Sequence, residues 1–235
     1  MVADTIIYHP TLTKLVKFWD STPKEKNHLD YLAYLSRFLS YYAYRKGYPK
    51  ETIEMFKGLK NHFSFIRKGM RFFKPIPHLQ TAAKAYDNQL MDPVLQVTTI
   101  IRNLGYAGYL GIDSVVFAKM LGLIDSKKWP NLSTYASRFW LLGLVAGIIH
   151  SLRIITSLSN YKRDPTDEKS AAAVDEKSIS KQLYQAKRKL VWDLLDSFIA
   201  LNTLNYLHFT EGDIGLAGVI TSIFGLEDMW KATTV

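Results

Sequence analysis

The 235-residue chain contains no cysteine, which excludes disulfide frameworks, thiol nucleophiles, Cys-ligated zinc and iron–sulfur clusters. Strand signals are scarce: no Asn-Gly or Asp-Gly pair separates alternating apolar runs, so hairpin folds lack their strongest local cue. The six histidines, His9, His28, His62, His78, His150 and His208, form neither an HExxH motif nor an i, i+4 pair, and no metal site is expected. The Gly-rich segments 105–111 and 212–218 lack the Lys-Ser/Thr ending of a phosphate loop and any preceding strand. Asp193 and Asp196 admit a paired-carboxylate reading, but Lys189, four residues before Asp193, offers it an ordinary helical ion pair. No catalytic residue, no cofactor and no enzyme are expected. The first ten residues show no basic segment leading into a sustained apolar run, so no secretory leader is expected either.

What the chain does have is three-and-four apolar spacing almost throughout, which predicts an all-α protein. Leu29, Leu32, Leu35, Leu39 and Tyr42 form one stripe, ending near Gly47-Tyr48-Pro49. A helix over 51–74 is stopped by Pro75-Ile76-Pro77. A short Ala-rich helix carries Leu79, Ala82, Ala83, Tyr86 and Leu90, and helices follow over 94–123, 133–158 and 179–207, with a Gly-interrupted apolar tail over 214–230. Between 159 and 180 polar and charged residues dominate, and this stretch is read as a solvated linker. The expected organisation is an N-terminal helical region (1–92), an apolar helical region with candidate spans (93–158), the linker (159–180) and a C-terminal helical region (181–235).

The charge is unevenly placed. Residues 45–74 carry nine basic side chains and two acidic ones, a net +7 of the chain's +9. On a helical wheel Ile53, Phe56, Leu59, Phe63, Ile66, Met70 and Phe73 share one half of the helix, and Lys57, Lys60, Arg67, Lys68 and Arg71 gather along a border of it; these five cations and Lys74 are the candidate contacts to anionic lipid. This suits the core helix of a soluble bundle or a helix lying in a membrane surface, its cations lifted toward anionic lipid headgroups. The absence of any acid from Phe56 to Lys74 favours the membrane. Nucleic acid is disfavoured as a partner, because Phe56, Phe63 and Phe73 lie on the apolar face rather than among the cations, Phe65 and Phe72 being the exceptions.

A mean hydropathy of −0.05 is too polar for a bundle of many spans. The stretch from Phe139 to Ile155 approaches the hydropathy of a spanning helix, with His150 and Arg153 needing an interface or a protein partner. Gly143 and Gly147 make a GxxxG spacing, and Gly105, Gly108 and Gly111 a smooth ridge, both suited to close helix packing within or between chains. Residues 214–226 are short for a span, and the helix over 94–123 is weakened by Arg102, Asn103 and Asp113. The expected architecture is a membrane-associated helical bundle with N-terminal amphipathic helices and two or three borderline membrane-embedded helices.

Several stretches resemble one known family. Tyr8-His9-Pro10, Lys17-Phe18, Leu35-Ser36-Arg37-Phe38-Leu39, Arg67-Lys68, Arg71-Phe72, Lys74-Pro75, His78-Leu79 and Tyr86-Asp87-Asn88 are similar to the N-terminal half of the eleventh-peroxin family, most closely its yeast members. Trp192-Asp193, Asp196-Ser197-Phe198-Ile199, Tyr206-Leu207 and the segments 218–223 and 228–233 resemble its closing part. The resemblance implies a peroxisomal membrane protein that elongates and proliferates peroxisomes before fission, self-associates into homo-oligomers, and works with the dynamin-related fission machinery. It also implies that the basic amphipathic helix, here about 51–74, inserts into the membrane. A pore for small metabolites is the alternative the family suggests.

Overall fold

Proline, glycine and short polar side chains set the helix ends. The computed structural model describes residues 23–125, 127–163 and 176–232. These form seven helices: α1 (Pro23–Arg45), α2 (Lys50–Met70), α3 (Pro75–Asp87), α4 (Pro93–Met120), α5 (Leu132–Arg163), α6 (Glu176–Thr203) and α7 (Glu211–Ala232). Among the described residues there is no strand. Asp92 caps α4 by accepting from the backbone N–H of Val94 and Leu95 at 3.0 and 3.1 Å, with Pro93 in the first turn, where its missing N–H is harmless. At α7, Thr210 and Asp213 cap each other reciprocally: the Asp213 carboxylate accepts from the Thr210 N–H, and the Thr210 hydroxyl from the Asp213 N–H.

Several expected boundaries differ: the short Ala-rich helix stops at Asp87, short of Leu90, and the helices expected to reach 123 and 207 end at Met120 and Thr203. The basic helix ends at Met70 rather than Lys74, because residues 71–74 form turns and Pro75 opens a helix of its own. The polar stretch 159–180 is helical at both ends, α5 running on to Arg163 and α6 beginning at Glu176. Nothing in Ser159-Asn160-Tyr161-Lys162-Arg163 breaks an i→i+4 ladder, whatever its polarity; residues 164–175 lie outside the described set.

The helices form a ring in which neighbours run α2, α1, α7, α6, α5, α4, closed by a slim α4–α2 contact, with α3 laid against α4. α1 and α7 are antiparallel, and a Cβ at Gly215 would come 2.8 Å from the Phe38 backbone nitrogen. Only a residue without a side chain lets the backbones approach so closely. α4 and α5 are likewise antiparallel: Gly105 faces Gly143, a Cβ at Gly105 falling 2.7 Å from the Gly143 nitrogen, and Gly108 faces the Phe139 ring. Gly111, the last of that ridge, has nothing within 4 Å. The buried residues are mostly small, Ala and Ser, joined by Leu144, Ile199 and Ile214.

Candidate functional site

The ring carries an apolar outer surface and, within its mostly small-residue core, buried charges. Facing outward on α4 are Val94, Val97, Ile101 and Leu104, and on α5 Leu142, Val145, Ile149 and Leu152, each 37–51% exposed. Val191 and Leu194 of α6 and Leu216 and Ile223 of α7 continue this surface. Inside sit charges: Asp193 is fully buried, Asp113 is 5% exposed and Arg71 9%. Ionised groups taken out of water must be paired to be tolerated, and these are.

Arg102 of α4 donates from both terminal nitrogens to Asp193 of α6, at 2.7 and 3.0 Å, and Lys189 meets the same carboxylate at 3.0 Å. The Lys189–Asp193 pair was legible in the sequence; Arg102 was not. Its guanidinium passes across α5 at Gly147, where a Cβ would collide with Nη1 and lie 2.5 Å from the Asp193 carboxylate. The other polar residues of the apolar helices also have partners. Asn103 meets His78 at 2.9 Å, His150 meets Thr98 at 3.0 Å, and Arg153 donates to Asp92 at 2.7 Å.

The basic end of α2 is part of this interior. Arg67 donates to Asp30 of α1 at 2.8 Å and rests over the Tyr34 ring at 5.5 Å. Lys68 pairs with Asp113 of α4, and Arg71 reaches the same carboxylate at 2.7 Å and the Tyr109 hydroxyl at 3.1 Å. Burial works against the Arg67 cation, but Asp30 and the neighbouring tyrosines hold its pKa above the ordinary arginine value. The wheel set Arg67, Lys68 and Arg71 along the edge of an outward face; in the fold that edge turns inward, because the matching carboxylates lie on α1 and α4. Lys74 also lines the interior.

Nearer the outside, Lys57 pairs with Glu54 at 3.0 Å and Lys60 lies 3.6 Å from Glu211. Glu211 is clamped by the Arg37 fork at 2.6 and 2.7 Å. That fork, with Lys60 beyond it, holds the Glu211 carboxyl below its usual pKa; burial and the nearby Arg37 depress Lys60. Of the seven apolar residues on the wheel face, Leu59 and Ile66 are exposed, 40% and 47%, and Met55 joins them on the outer edge at 53%. Ile53, Phe56, Phe63, Met70 and Phe73 are half-buried. On the other side of α2, Phe65 and Phe72 pack on Phe117 of α4, with ring centroids 5.2 and 6.4 Å apart.

Between the helices lies a cavity of about 590 Å³ bordered by Asp30, Tyr34, Arg67, Lys68, Arg71, Tyr109, Asp113, Trp140, Lys189 and Asp196 among others. Among the described residues no cluster of His, Asp and Glu is arranged to hold a metal ion.

An apolar outside, paired charges within, and a helix, Leu132–Asn160, long and apolar enough to cross a bilayer with only 28% of its most apolar stretch buried, define a membrane-associated helical bundle. The family model of peroxisomal biogenesis factor 11 (PEX11) matches residues 12–230, and the chain belongs to that family. It is 37% identical to the peroxisomal membrane protein PMP27 of Saccharomyces cerevisiae, covering 99% of this chain and all of that protein. It is 36% identical to PMP30B of Candida boidinii, over 99% of both, and 21% identical to peroxisomal biogenesis factor 11 of Schizosaccharomyces pombe, over 96% and 97%. No solved structure matches. The chain is thus a protein of the peroxisomal membrane with a role in peroxisome proliferation, from a family described as a biogenesis factor rather than by a reaction.

Proposed function

We propose that the protein elongates the peroxisomal membrane mechanically, without catalysis, by seating an apolar edge in one leaflet and self-associating so that many such wedges act together. The observation that carries this is the outward row Met55, Leu59 and Ile66 on α2, beside the outward-facing Leu32 and Tyr42 of α1. The inserting element is then the antiparallel α1–α2 pair rather than a lone helix, since Phe56 and Phe63 are half-buried in the fold. Lys57 lies half a turn around α2 from Ile66 and is paired with Glu54, and Lys60 is held beside Glu211, so the inserting edge itself is apolar rather than lined with cations. Homo-oligomers joined through the apolar outer faces array the wedges along a tubule, which the dynamin-related fission machinery then divides.

The test uses the full-length protein reconstituted into anionic liposomes and viewed by electron microscopy. Wild type draws tubules. Leu59→Glu/Ile66→Glu, changed only at exposed positions, keeps its helical content and draws none. Tubulation by the double variant at the wild-type level refutes the proposal, as does its absence with wild type. A second reading, conduction of small metabolites, is favoured by the charged cavity inside an apolar shell. Its test is conductance in planar bilayers, with selectivity altered by Asp113→Asn.

A further inference from the structure

The short turns that join α4 to α5 and α6 to α7 emerge at the same end of the ring. α4 and α5 are antiparallel, and so are α5 and α6: Gly147 lies beside Asp193, and Trp140, two turns nearer the start of α5, packs with Ile199, nearer the end of α6. Each turn holds a residue other than glycine at positive φ, Trp129 at 51° and Asn205 at 61°. Asparagine tolerates that conformation, but a bulky side chain adopts it only under constraint. Lys119 supplies one, its ammonium donating to the carbonyls of Lys128 and Trp129 at 2.6 and 3.4 Å. Backbone of this kind persists only where its surroundings hold it, and it clusters where the direction of a side chain matters. Here Trp129 is 59% exposed and Leu123, in the same turn, 76%. Tyr206 and Phe209 are exposed in the other turn. Large apolar groups gathered at one end of a fold mark a surface that something covers.

The outer face of α5 says what covers it. Tyr135, Phe139, Leu142, Val145, Ile149 and Leu152 follow one another at steps of three and four residues, all exposed, and so form one stripe. From 135 to 152 the helix rises about 26 Å, close to the roughly 30 Å of a bilayer's hydrocarbon core. Beyond Leu152 the same side turns polar: Thr156 and Asn160 are exposed, and Arg153 pairs with Asp92. At its other end the stripe runs into the α4–α5 turn, where Lys127 and Lys128 are exposed beside Trp129. Aromatic rings and lysines closing an apolar stripe of this length have the composition of a membrane interface, the rings at headgroup level and the ammonium groups reaching outward. The coincidence of turn, cations and stripe length selects lipid over a protein surface as the covering.

We propose that this end of the ring is a membrane-interface anchor. Trp129 and Leu123 enter the boundary between headgroups and acyl chains, Lys127 and Lys128 meet lipid phosphates, and Tyr206 sits at the same level on the neighbouring turn. The anchor sets the depth of α5 so that its stripe spans the hydrocarbon. It is independent of the wedge on α2, because it places the ring in the membrane whether or not the outer edge of α2 bends that membrane.

The chain lacks cysteine, so a single introduced one takes a fluorophore uniquely. Full-length Leu123→Cys and, near the start of α6 at the far end of the ring, Lys181→Cys are labelled with an environment-sensitive dye. Both are reconstituted into vesicles of phosphatidylcholine and phosphatidylserine, with lipids spin-labelled at a shallow or a deep acyl position, or iodide on both sides, as quenchers. The dye at 123 should be quenched at least about twofold more by the shallow label than by the deep one, and at least about twofold less by iodide than the dye at 181. In a second pair the dye sits on Asn131→Cys; adding Trp129→Ser should raise its iodide quenching at least about twofold, with helix content unchanged by circular dichroism. Equal iodide quenching at 123 and 181 overturns the proposal. So does shielding from iodide without quenching by either lipid label, the sign of a protein covering, and so does stronger quenching by the deep label. Indifference of the dye at 131 to Trp129→Ser overturns it as well.

Discussion

Replacing Gly147 by alanine sets two rules against each other. Helix propensity alone says that Gly→Ala in the middle of α5 stabilises by about 1 kcal/mol. The packing says the opposite: the new Cβ occupies the place of Arg102 Nη1 and stands 2.5 Å from the Asp193 carboxylate. A collision with a side-chain end is relieved by moving that side chain, so Arg102 must withdraw from Asp193. The carboxylate is fully buried and keeps only Lys189, at 3.0 Å. Breaking a buried pair by removing one partner costs about 3–5 kcal/mol; with Lys189 retained, the lower figure applies. About 3 kcal/mol is a large part of the stability of an ordinary domain and corresponds to a fall in Tm of roughly 6–12 °C for a chain of this size. Thermal melts in detergent, followed by circular dichroism, read this directly. The control is Arg102→Met, which removes the group Gly147 makes way for. In that background Gly147→Ala should cost less than in wild type, only the 2.5 Å contact with the Asp193 carboxylate remaining, and the two changes should be non-additive. A Gly147→Ala protein melting at or above wild type, or a penalty undiminished by Arg102→Met, would refute the reasoning.

The other glycines of these helices separate by what they face. Gly105→Ala forces a Cβ to 2.7 Å from the Gly143 nitrogen, backbone that cannot step aside, and should lower Tm by the equivalent of about 1–3 kcal/mol. Gly111→Ala meets nothing within 4 Å and should raise Tm by the equivalent of about 0.5–1 kcal/mol; equal effects of the two in parallel melts would show that the α4–α5 contact is misplaced. Acid should loosen the α1–α7 clamp. Because Arg37 lowers the Glu211 pKa in the folded protein, the clamp's contribution is present above the ordinary glutamate value of 4.5 and is lost as pH falls through the lower folded value. Tm measured against pH should therefore fall less steeply for Glu211→Gln than for wild type below pH 4.5, and identical slopes would count against the clamp.

Much of this fold was written locally. Gly47-Tyr48-Pro49 and Pro75-Ile76-Pro77 marked helix ends because proline's fixed φ and missing N–H act within a turn of chain. The Lys189–Asp193 pair lay four residues apart on one helix and could be read as such. What could not be read was which way a border of the wheel faces. Arg67 finds Asp30, and Arg71 finds Asp113, across 37 and 42 residues of sequence, and no periodicity within 51–74 carries that information. Asp113, an acid within an apolar helix, was the available signal; its partner was not. Likewise the GxxxG pair of α5 announced close packing, but the passage of a guanidinium past Gly147 depends on α4 and α6 together.

The placement of charge also limits which part of α2 can meet lipid. Its outer edge, Met55, Leu59 and Ile66, is apolar and exposed, while Arg67, Lys68 and Arg71 on its inner edge are engaged by carboxylates of α1 and α4. A helix lying wholly on the membrane as a lone wedge would bring both edges to lipid, leaving Asp30 and Asp113 without those partners, a costly state for acids in the interior of a bundle. Keeping the inner pairs intact therefore confines the wedge to the outer edge. Leu59→Glu/Ile66→Glu should abolish tubulation, whereas Arg71→Lys, which keeps a cation for Asp113, should leave it at the wild-type level. If Arg71→Lys instead removes tubulation while its fold is intact, the inner cations meet lipid after all, and α2 must leave the ring to act.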